Sequence, residues 1–301
     1  MKEIIECVPN ISEGKRDEIV QQIVSPLKNI KDLKLLSVSS DKDHNRTVIT
    51  LIGTRESLYE GVILLYKEAI KHIDLTKHKG EHPRAGAVDV VPFVPIKNVT
   101  TDDCIELAKK VSKEVGKRFN IPVYLYEDAA TKEERRDLAA IRKSEFEGFF
   151  EKIKDPQWKP DYGPSQVHPT AGITVIGARM PLIAYNINLN TSSIEIAKNI
   201  AKAIRHSSGG MRYVKALGMM LHDRNIAQVS INLTNYKLSP IFRVFEMVKR
   251  EAKRYGVSII GSEIVGLVPQ EALIDVAEYY LQLENCDKLQ VLENKIHQES
   301  E

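Results

Sequence analysis

The segment Gly80-Glu81-His82-Pro83-Arg84-Ala85-Gly86-Ala87-Val88-Asp89 gathers the residue types best able to move protons. Pro83 biases His82 away from helical geometry, and Gly80 and Gly86 permit tight turns and close backbone approach on either side. A titratable ring is thereby set on a stiff loop, with Glu81, Arg84 and Asp89 near it in sequence. A histidine with carboxylates beside it can be tuned for acid–base work near neutral pH. The bland alternative is a surface loop whose charges pair with one another. A second polar run, Asp41-Lys42-Asp43-His44-Asn45-Arg46-Thr47, lies between two strand-like stretches. Asp and Asn favour an ordinary hairpin loop there just as well. Within this run Arg46 is the strongest candidate ligand, because a guanidinium can grip a carboxylate through two parallel hydrogen bonds.

No metal site is expected. His78 and His82 are spaced as in a helical zinc pair, but Gly80 and Pro83 argue against a helix there. No H-E-x-x-H run occurs, and no cysteine lies close enough to help. Neither a P-loop nor a G-x-G-x-x-G fingerprint is present. Ser207-Ser208-Gly209-Gly210 has the composition of an anion cradle, but reads more simply as a linker after a helix.

The elements that must position these loops follow from periodicity. Ile4 to Val8 alternates like a strand, and Ile19, Ile23, Leu27 and Ile30 mark a helix over 17–30, with Pro26 against its last turn. Strands are expected at 33–39, 46–53, 88–94 and 122–126, and helices at 56–73 and 102–119. The first of these helices carries the stripe Leu58, Val62, Leu65 and Ala69, and the second is capped by Thr101 or Asp102. The resulting β-α-β-β-α-β order is the split, ferredoxin-like arrangement, extended by helices between Thr131 and Ile153. From Lys154 to Gly172 four prolines exclude a helix, and this stretch reads as a functional connection between two halves. The second half repeats the plan, with strands at 172–176, 182–189, 214–221, 227–233 and 257–265 and helices at 193–205, 240–255 and 270–281. Asp43-His44-Asn45-Arg46 and Asp223-Arg224-Asn225 precede the third strand of their halves, a faint echo of duplication. The expected division is 1–177 and 178–301, with the candidate histidine in the first part.

Bulk composition narrows the function class. The 301 residues hold 43% hydrophobic and 28% charged residues, as a globular protein does. With 43 Lys plus Arg against 41 Asp plus Glu, the net charge is +2, which makes no case for binding nucleic acid or a membrane surface. Cys7, Cys104 and Cys286 are scattered and odd in number, so a cytoplasmic protein with reduced thiols is expected. The N-terminus, with Lys2, Glu3 and Glu6, does not read as a signal peptide.

Seven stretches, in order from residue 3 to about residue 275, resemble the glutamate formiminotransferase family. They are Cys7–Gly14, Asn45–Val48, Gly80–Arg84, Asp89–Pro95, Pro122–Tyr126, Ala227–Ser230 with Asn232-Leu233, and Val265–Pro269. The resemblance implies an α/β (α+β) chain of two ferredoxin-like subdomains packed side by side with a ligand groove between them, and a homodimer. It implies the monofunctional form, since the chain ends before a cyclodeaminase domain would begin. It implies transfer of a formimino group from N-formimino-L-glutamate to N5 of tetrahydrofolate, the co-substrate, with His82 as general acid–base residue. The family's folate-binding stretch falls on Gly163, Pro164, Ser165, Gln166, Val167, His168, Pro169, Thr170, Ala171 and Gly172, within the proline-rich connection described above. His82 should then lie close to that loop across a common cleft. A carboxylate, Asp41 or Glu81, would hold the cationic formimino group, and Arg46 and Arg84 would take the glutamate carboxylates. The alternatives are a 5-formyltetrahydrofolate-processing enzyme of the same family, since fold does not fix the donor, and a non-catalytic folate-binding protein, which has no need of a poised histidine.

Overall fold

The computed structural model describes residues 3–42, 44–80 and 83–299. It divides into two compact units, Met1–Met180 and Pro181–Glu301. In the first, β1 (Ile4–Cys7) and β2 (Asn10–Ile11) are one strand interrupted at Val8-Pro9, where Pro9 has no N–H to give. Helix α1 (Asp17–Val24) ends in a tighter 3-10 turn over Ser25–Asn29, so the helix expected to run to residue 30 breaks at Pro26. The chain then forms the hairpin β3 (Leu33–Asp41) and β4 (Arg46–Gly53), helix α2 (Arg55–His72) and strand β5 (Val88–Lys97).

The expected stripe of α2 is real: Leu58, Val62, Leu65 and Ala69 are fully buried. Thr54 caps the helix in a reciprocal box with Ser57. The first strand lies between β4 and β5, antiparallel to both, and β3 pairs outside β4. The β-α-β-β-α-β order is thus folded with its first strand between the third and fourth.

Helix α3 (Thr101–Phe119) and β6 (Val123–Glu127) extend the unit, followed by α4 (Leu138–Arg142), α5 (Glu145–Lys152) and β7 (Thr174–Ala178). The cap of α3 is Thr100, one residue before the expected pair. Its hydroxyl accepts from Asp103 N while the Asp103 carboxylate accepts from Thr100 N. β7 requires a larger correction. The stretch 172–176 was expected to open the second half, with 154–172 joining the halves. Instead β7 lies parallel between β5 and β6 in the first sheet, and 154–172 is an excursion inside the first unit. All five β7 residues are buried, as a parallel strand covered on both faces requires.

The second unit holds β8 (Ile183–Leu189), α6 (Ile194–Ile204), β9 (Val214–Leu221), β10 (Ile226–Leu233), α7 (Ile241–Arg254), β11 (Ile259–Val265), α8 (Gln270–Leu281) and α9 (Leu292–Glu299). Its sheet runs β11-β8-β10-β9, all antiparallel, so again the first strand of the unit lies between the third and the fourth. The echo between the halves is also structural. Asn45 and Asn225, each directly before its third strand, both adopt the left-handed conformation at φ 49°, which Asn tolerates better than most residues. Ser207–Gly210 turns the chain out of α6: Gly210 N donates to Arg205 O at 3.0 Å and Met211 N to Ile204 O at 2.8 Å. Among the described residues no helix is long and apolar enough to cross a membrane.

Candidate active site

Two segments far apart in sequence are laced together by backbone. Ile173 N donates to Ala85 O and Ala87 N to Ala171 O, both at 2.9 Å, around a bridge between Gly86 and Gly172. A Cβ on Gly86 would stand 1.9 Å from Ile173 O, and one on Gly172, whose φ is +72°, would stand 2.1 Å from Ala85 O. Both glycines are therefore required by this close approach. Reciprocal bonds between His168 and Gly172, at 3.1 and 3.0 Å, close the end of the 163–172 stretch into a tight loop. Leu75 N anchors it further by donating to Thr170 O at 2.8 Å. His168 Nδ1 accepts from Thr170 N at 3.3 Å and Ala171 N at 3.0 Å. Burial lowers the pKa of this ring, which fits a neutral imidazole with its proton on Nε2. Val167 and Ala171 are buried, whereas Gly163, Ser165, Gln166 and Pro169 are exposed and Pro164, His168 and Thr170 half-buried.

Beside this lacing, Ser12, His44, Asn45, Arg46, His78, Arg84 and Asp89 line one cleft in the first unit. Asp89 is buried on β5 and accepts from Ala85 N at 2.8 Å and Gly86 N at 3.2 Å. It is also ion-paired with the buried Arg142 of α4. Arg46 opens β4, opposite Asp41 in the hairpin register, and donates to Asn10 Oδ1. Burial, and then the nearby charge of Arg142, bring its pKa down to about 10. The guanidinium stays cationic near neutral pH, where its desolvation makes it a strong partner for an anion. Asp41 accepts from His44 N at 2.8 Å and pairs with His44 Nδ1 at 2.9 Å.

Arg84 is differently placed from the sequence expectation. Its fork takes Glu147 through two hydrogen bonds of 2.6 and 2.9 Å and Glu145 at 3.0 Å, while Nε donates to His78 Nδ1 at 3.2 Å. The Glu147 hydrogen bond raises the Arg84 pKa. His78 in turn donates from Nε2 to Asn45 O at 2.9 Å, so both ring nitrogens are committed and the imidazole is held neutral. Asn45 ties the cleft together, accepting from Gly14 N at 2.9 Å and donating to Lys79 O at 3.0 Å.

Glu81 and His82, expected at the centre of the chemistry, lie outside the described residues. The residues on either side border the cleft: Arg84 lines it, and Gly80 packs so close to His44 that a Cβ would stand 2.3 Å from its carbonyl. Sequence reasoning missed Asn10, Ser12, Glu13, His78 and Arg142. The available signal for the first three was their place in Cys7–Gly14, a stretch that carries the family resemblance but was given no role in the site. Glu13 is buried; burial alone would raise its carboxyl, but hydrogen bonds from Arg16 and Lys15 outweigh that and lower it. Among the described residues no group of three or more His, Cys, Asp or Glu side chains is arranged to hold a metal ion.

Burial depresses the His78 pKa below its ordinary value of 6.5. Between the folded value and 6.5 the unfolded chain binds more protons, so stability falls as pH drops through that window and is fully recovered above it. His78→Gln should flatten the fall in melting temperature between about pH 7 and about pH 5. An unchanged pH profile in the variant would remove His78 as the source.

The profile of the formiminotransferase domain's N-terminal subdomain matches residues 4–179, and that of the formiminotransferase domain proper matches 184–298. The chain belongs to the formiminotransferase family. It is 52% identical to the glutamate formimidoyltransferase of Streptococcus pyogenes serotype M1, over 98% of this chain and 99% of that one. It is 49% identical to the glutamate formimidoyltransferase of Thermoplasma acidophilum, over 97% of each. Against the formimidoyltransferase-cyclodeaminase of Rattus norvegicus identity is 41%, over 96% of this chain and 53% of that longer protein. The formiminotransferase profiles thus meet at the boundary between the two units, and the cleft lies within the N-terminal profile.

Proposed function

We propose that this formiminotransferase-family chain transfers the formimino group of N-formimino-L-glutamate to N5 of tetrahydrofolate, giving 5-formiminotetrahydrofolate and L-glutamate. The observation that supports this best is the lacing of Ala85–Ala87 to Ala171–Ile173, which joins the histidine-bearing segment to the stretch 163–172 beside a cleft with a buried guanidinium. N5 attacks the amidine carbon, a tetrahedral intermediate forms, and glutamate leaves through its nitrogen. The attacking nitrogen loses a proton and the departing one gains it, so His82 serves as base and then as acid. No covalent nucleophile from the protein is needed, and much of the rate comes from aligning two bound substrates. Residues 163–172 contact the folate, and the first unit is the catalytic subdomain.

Arg46 is assigned to a carboxylate of the glutamate portion, and Asp41 or Glu81 to the cationic formimino group. Arg84 joins in only if a substrate carboxylate displaces Glu145 or Glu147, so its role is conditional on that exchange. The same reading makes the protein a cytoplasmic homodimer, with its three free cysteines reduced and no metal required. The test is to mix protein, tetrahydrofolate and formiminoglutamate and acidify, converting 5-formimino product to absorbing methenyltetrahydrofolate. Product that requires both substrates supports the assignment; folate binding without product refutes it. Arg46→Lys keeps the charge but loses the fork. It should raise KM for formiminoglutamate roughly 10-fold or more with a smaller effect on kcat. A KM equal to that of the wild type would take Arg46 out of the substrate site.

A further inference from the structure

The described residues on either side of Glu81 and His82 are anchored points of the first unit. On one side, Lys79 O accepts from Asn45 Nδ2 at 3.0 Å and from Lys15 Nζ at 3.2 Å. On the other, every backbone polar group from Arg84 O to Gly86 O is engaged. Phe146 N donates to Arg84 O and Ile173 N to Ala85 O, both at 2.9 Å. Asp89 takes Ala85 N and Gly86 N, and Ser12 Oγ donates to Gly86 O at 2.7 Å. Part of this anchoring comes from α4 and α5, two short helices remote in sequence.

The two helices grip that second flank in three ways. Arg142, buried on α4, ion-pairs with Asp89, the buried carboxylate that holds Ala85 N and Gly86 N. Phe146, near the start of α5, holds the Arg84 carbonyl. Glu145 and Glu147, from the same turn, take the Arg84 guanidinium at 3.0 Å and at 2.6 and 2.9 Å. The helices are also tied to each other: Lys152 Nζ, at the end of α5, donates to Ala140 O at 2.9 Å and Ile141 O at 2.8 Å. Burial explains why the backbone groups are satisfied, but it does not call for two carboxylates on one guanidinium. Nor does it call for Glu145 to sit at φ 50°, a conformation uncommon outside Gly, Asn and Asp. Glu145 directly precedes Phe146, whose N–H reaches Arg84 O, and backbone strain of this kind collects where geometry serves function.

We propose that α4 and α5 form a bracket that positions the acid–base segment for formimino transfer, with Arg142 and Arg84 as its positioning residues. Arg142 acts through Asp89 on the Ala85-Gly86 turn. Arg84 is a strut, so the exchange considered above for its fork does not occur: the fork rests on α5, and Nε rests on His78, which Asn45 O fixes in turn. A transfer between two bound substrates depends on holding its groups within about 0.5 Å of the productive geometry. A proton-transfer residue carried on a loop meets that demand only if the chain on both sides of it is fixed. The inference rests on the role proposed above for His82.

The test compares wild type, the double variant Glu145→Ala/Glu147→Ala, Arg142→Lys and His82→Ala in steady-state formimino transfer, with thermal melts beside them. The two glutamate side chains are 47% and 64% exposed, so their loss leaves the fold in place and costs little stability. In the double variant kcat should fall roughly 10-fold or more, while KM for formiminoglutamate stays within about two-fold of wild type. Arg142→Lys keeps the charge and loses the planar fork; it should lower kcat at least as far, measured at a temperature where its melt shows it folded. Should it fail to fold, the double variant decides alone. The histidine limb of the pH–rate profile should persist in both, because the base is misplaced and not removed. If Glu145 and Glu147 only screen Arg84 from a substrate carboxylate, the sign is opposite: removing them lowers KM and leaves kcat alone. A change confined to KM, or wild-type kinetics in the double variant, overturns the bracket while the transferase function stands. Undiminished turnover by His82→Ala overturns the acid–base role and the bracket with it.

Discussion

Replacing His82 with alanine should lower kcat by roughly 10²–10⁴, the range for a lost acid–base group, while tetrahydrofolate affinity stays within a few-fold of wild type. The reasoning is chemical. Formimino transfer removes a proton from N5 and delivers one to the departing glutamate nitrogen, and the variant leaves both to solvent. Alignment of the two substrates survives, so a residual rate above the uncatalysed reaction is expected. The loss should fall on kcat and kcat/KM together, as for a group acting only in the transition state. The histidine limb of the pH–rate profile should vanish at the same time. A merely structural role would instead lower the melting temperature and leave that limb in place. Turnover at the wild-type rate would dispose of the assignment.

Gly172→Ala should be the most damaging single methyl in the first unit. Its φ of +72° costs an L-residue about 1–2 kcal/mol. The new Cβ would also stand 2.1 Å from Ala85 O, against backbone that cannot swing aside as a side chain would. Overpacking of this kind adds about 1–3 kcal/mol, and relieving it by separating the segments breaks the hydrogen bonds between 85–87 and 171–173. We expect a loss of about 3 kcal/mol in unfolding free energy, and activity reduced at least 10-fold even where the variant is folded, because misplacing reacting groups is costly. Gly209→Ala is the control. Its φ is +89°, but nothing lies within 4 Å of the added methyl, so only the conformational penalty remains. Equal melting temperatures for the two variants would show that the approach of Gly172 to Ala85 carries no energetic weight.

The element order of both units was legible because amphipathic periodicity records which residues face a core, and that periodicity is intact in α2, α3 and α7. The location of β7 was not. A strand buried on both faces has no alternation to betray its neighbours, and the prolines before it mark irregular chain without marking a domain boundary. In the site, Arg46 and Asp41 could be found as a polar loop between two strands. Asp89 could be found only as a neighbour in sequence, and its salt bridge with Arg142 could not, because α4 reaches it from a distant part of the chain. Arg84 shows the same limit from the other side. Its residue type suggested a substrate ligand, but Glu145 and Glu147 of α5, remote in sequence, occupy its donors. His78 was weighed only as half of a metal pair, whereas its role comes from Asn45 O and Arg84 Nε on two other segments.

The insertion of β7 between β5 and β6 also orders events in time. A strand that pairs on both edges cannot dock until its two neighbours leave a gap one strand wide, and closing that gap draws in the long excursion after α5 at an entropic cost. Non-local parallel pairing of this kind is slow relative to hairpins such as β3–β4. The stretch 163–172 is tied to Ala85–Ala87 through Ala171 and Ile173, directly before that strand, so the seating of β7 and the closure of this loop beside the cleft are expected to be coupled. A nascent chain released before residue 178 would hold every side chain that lines the cleft and still lack the strand that locks it.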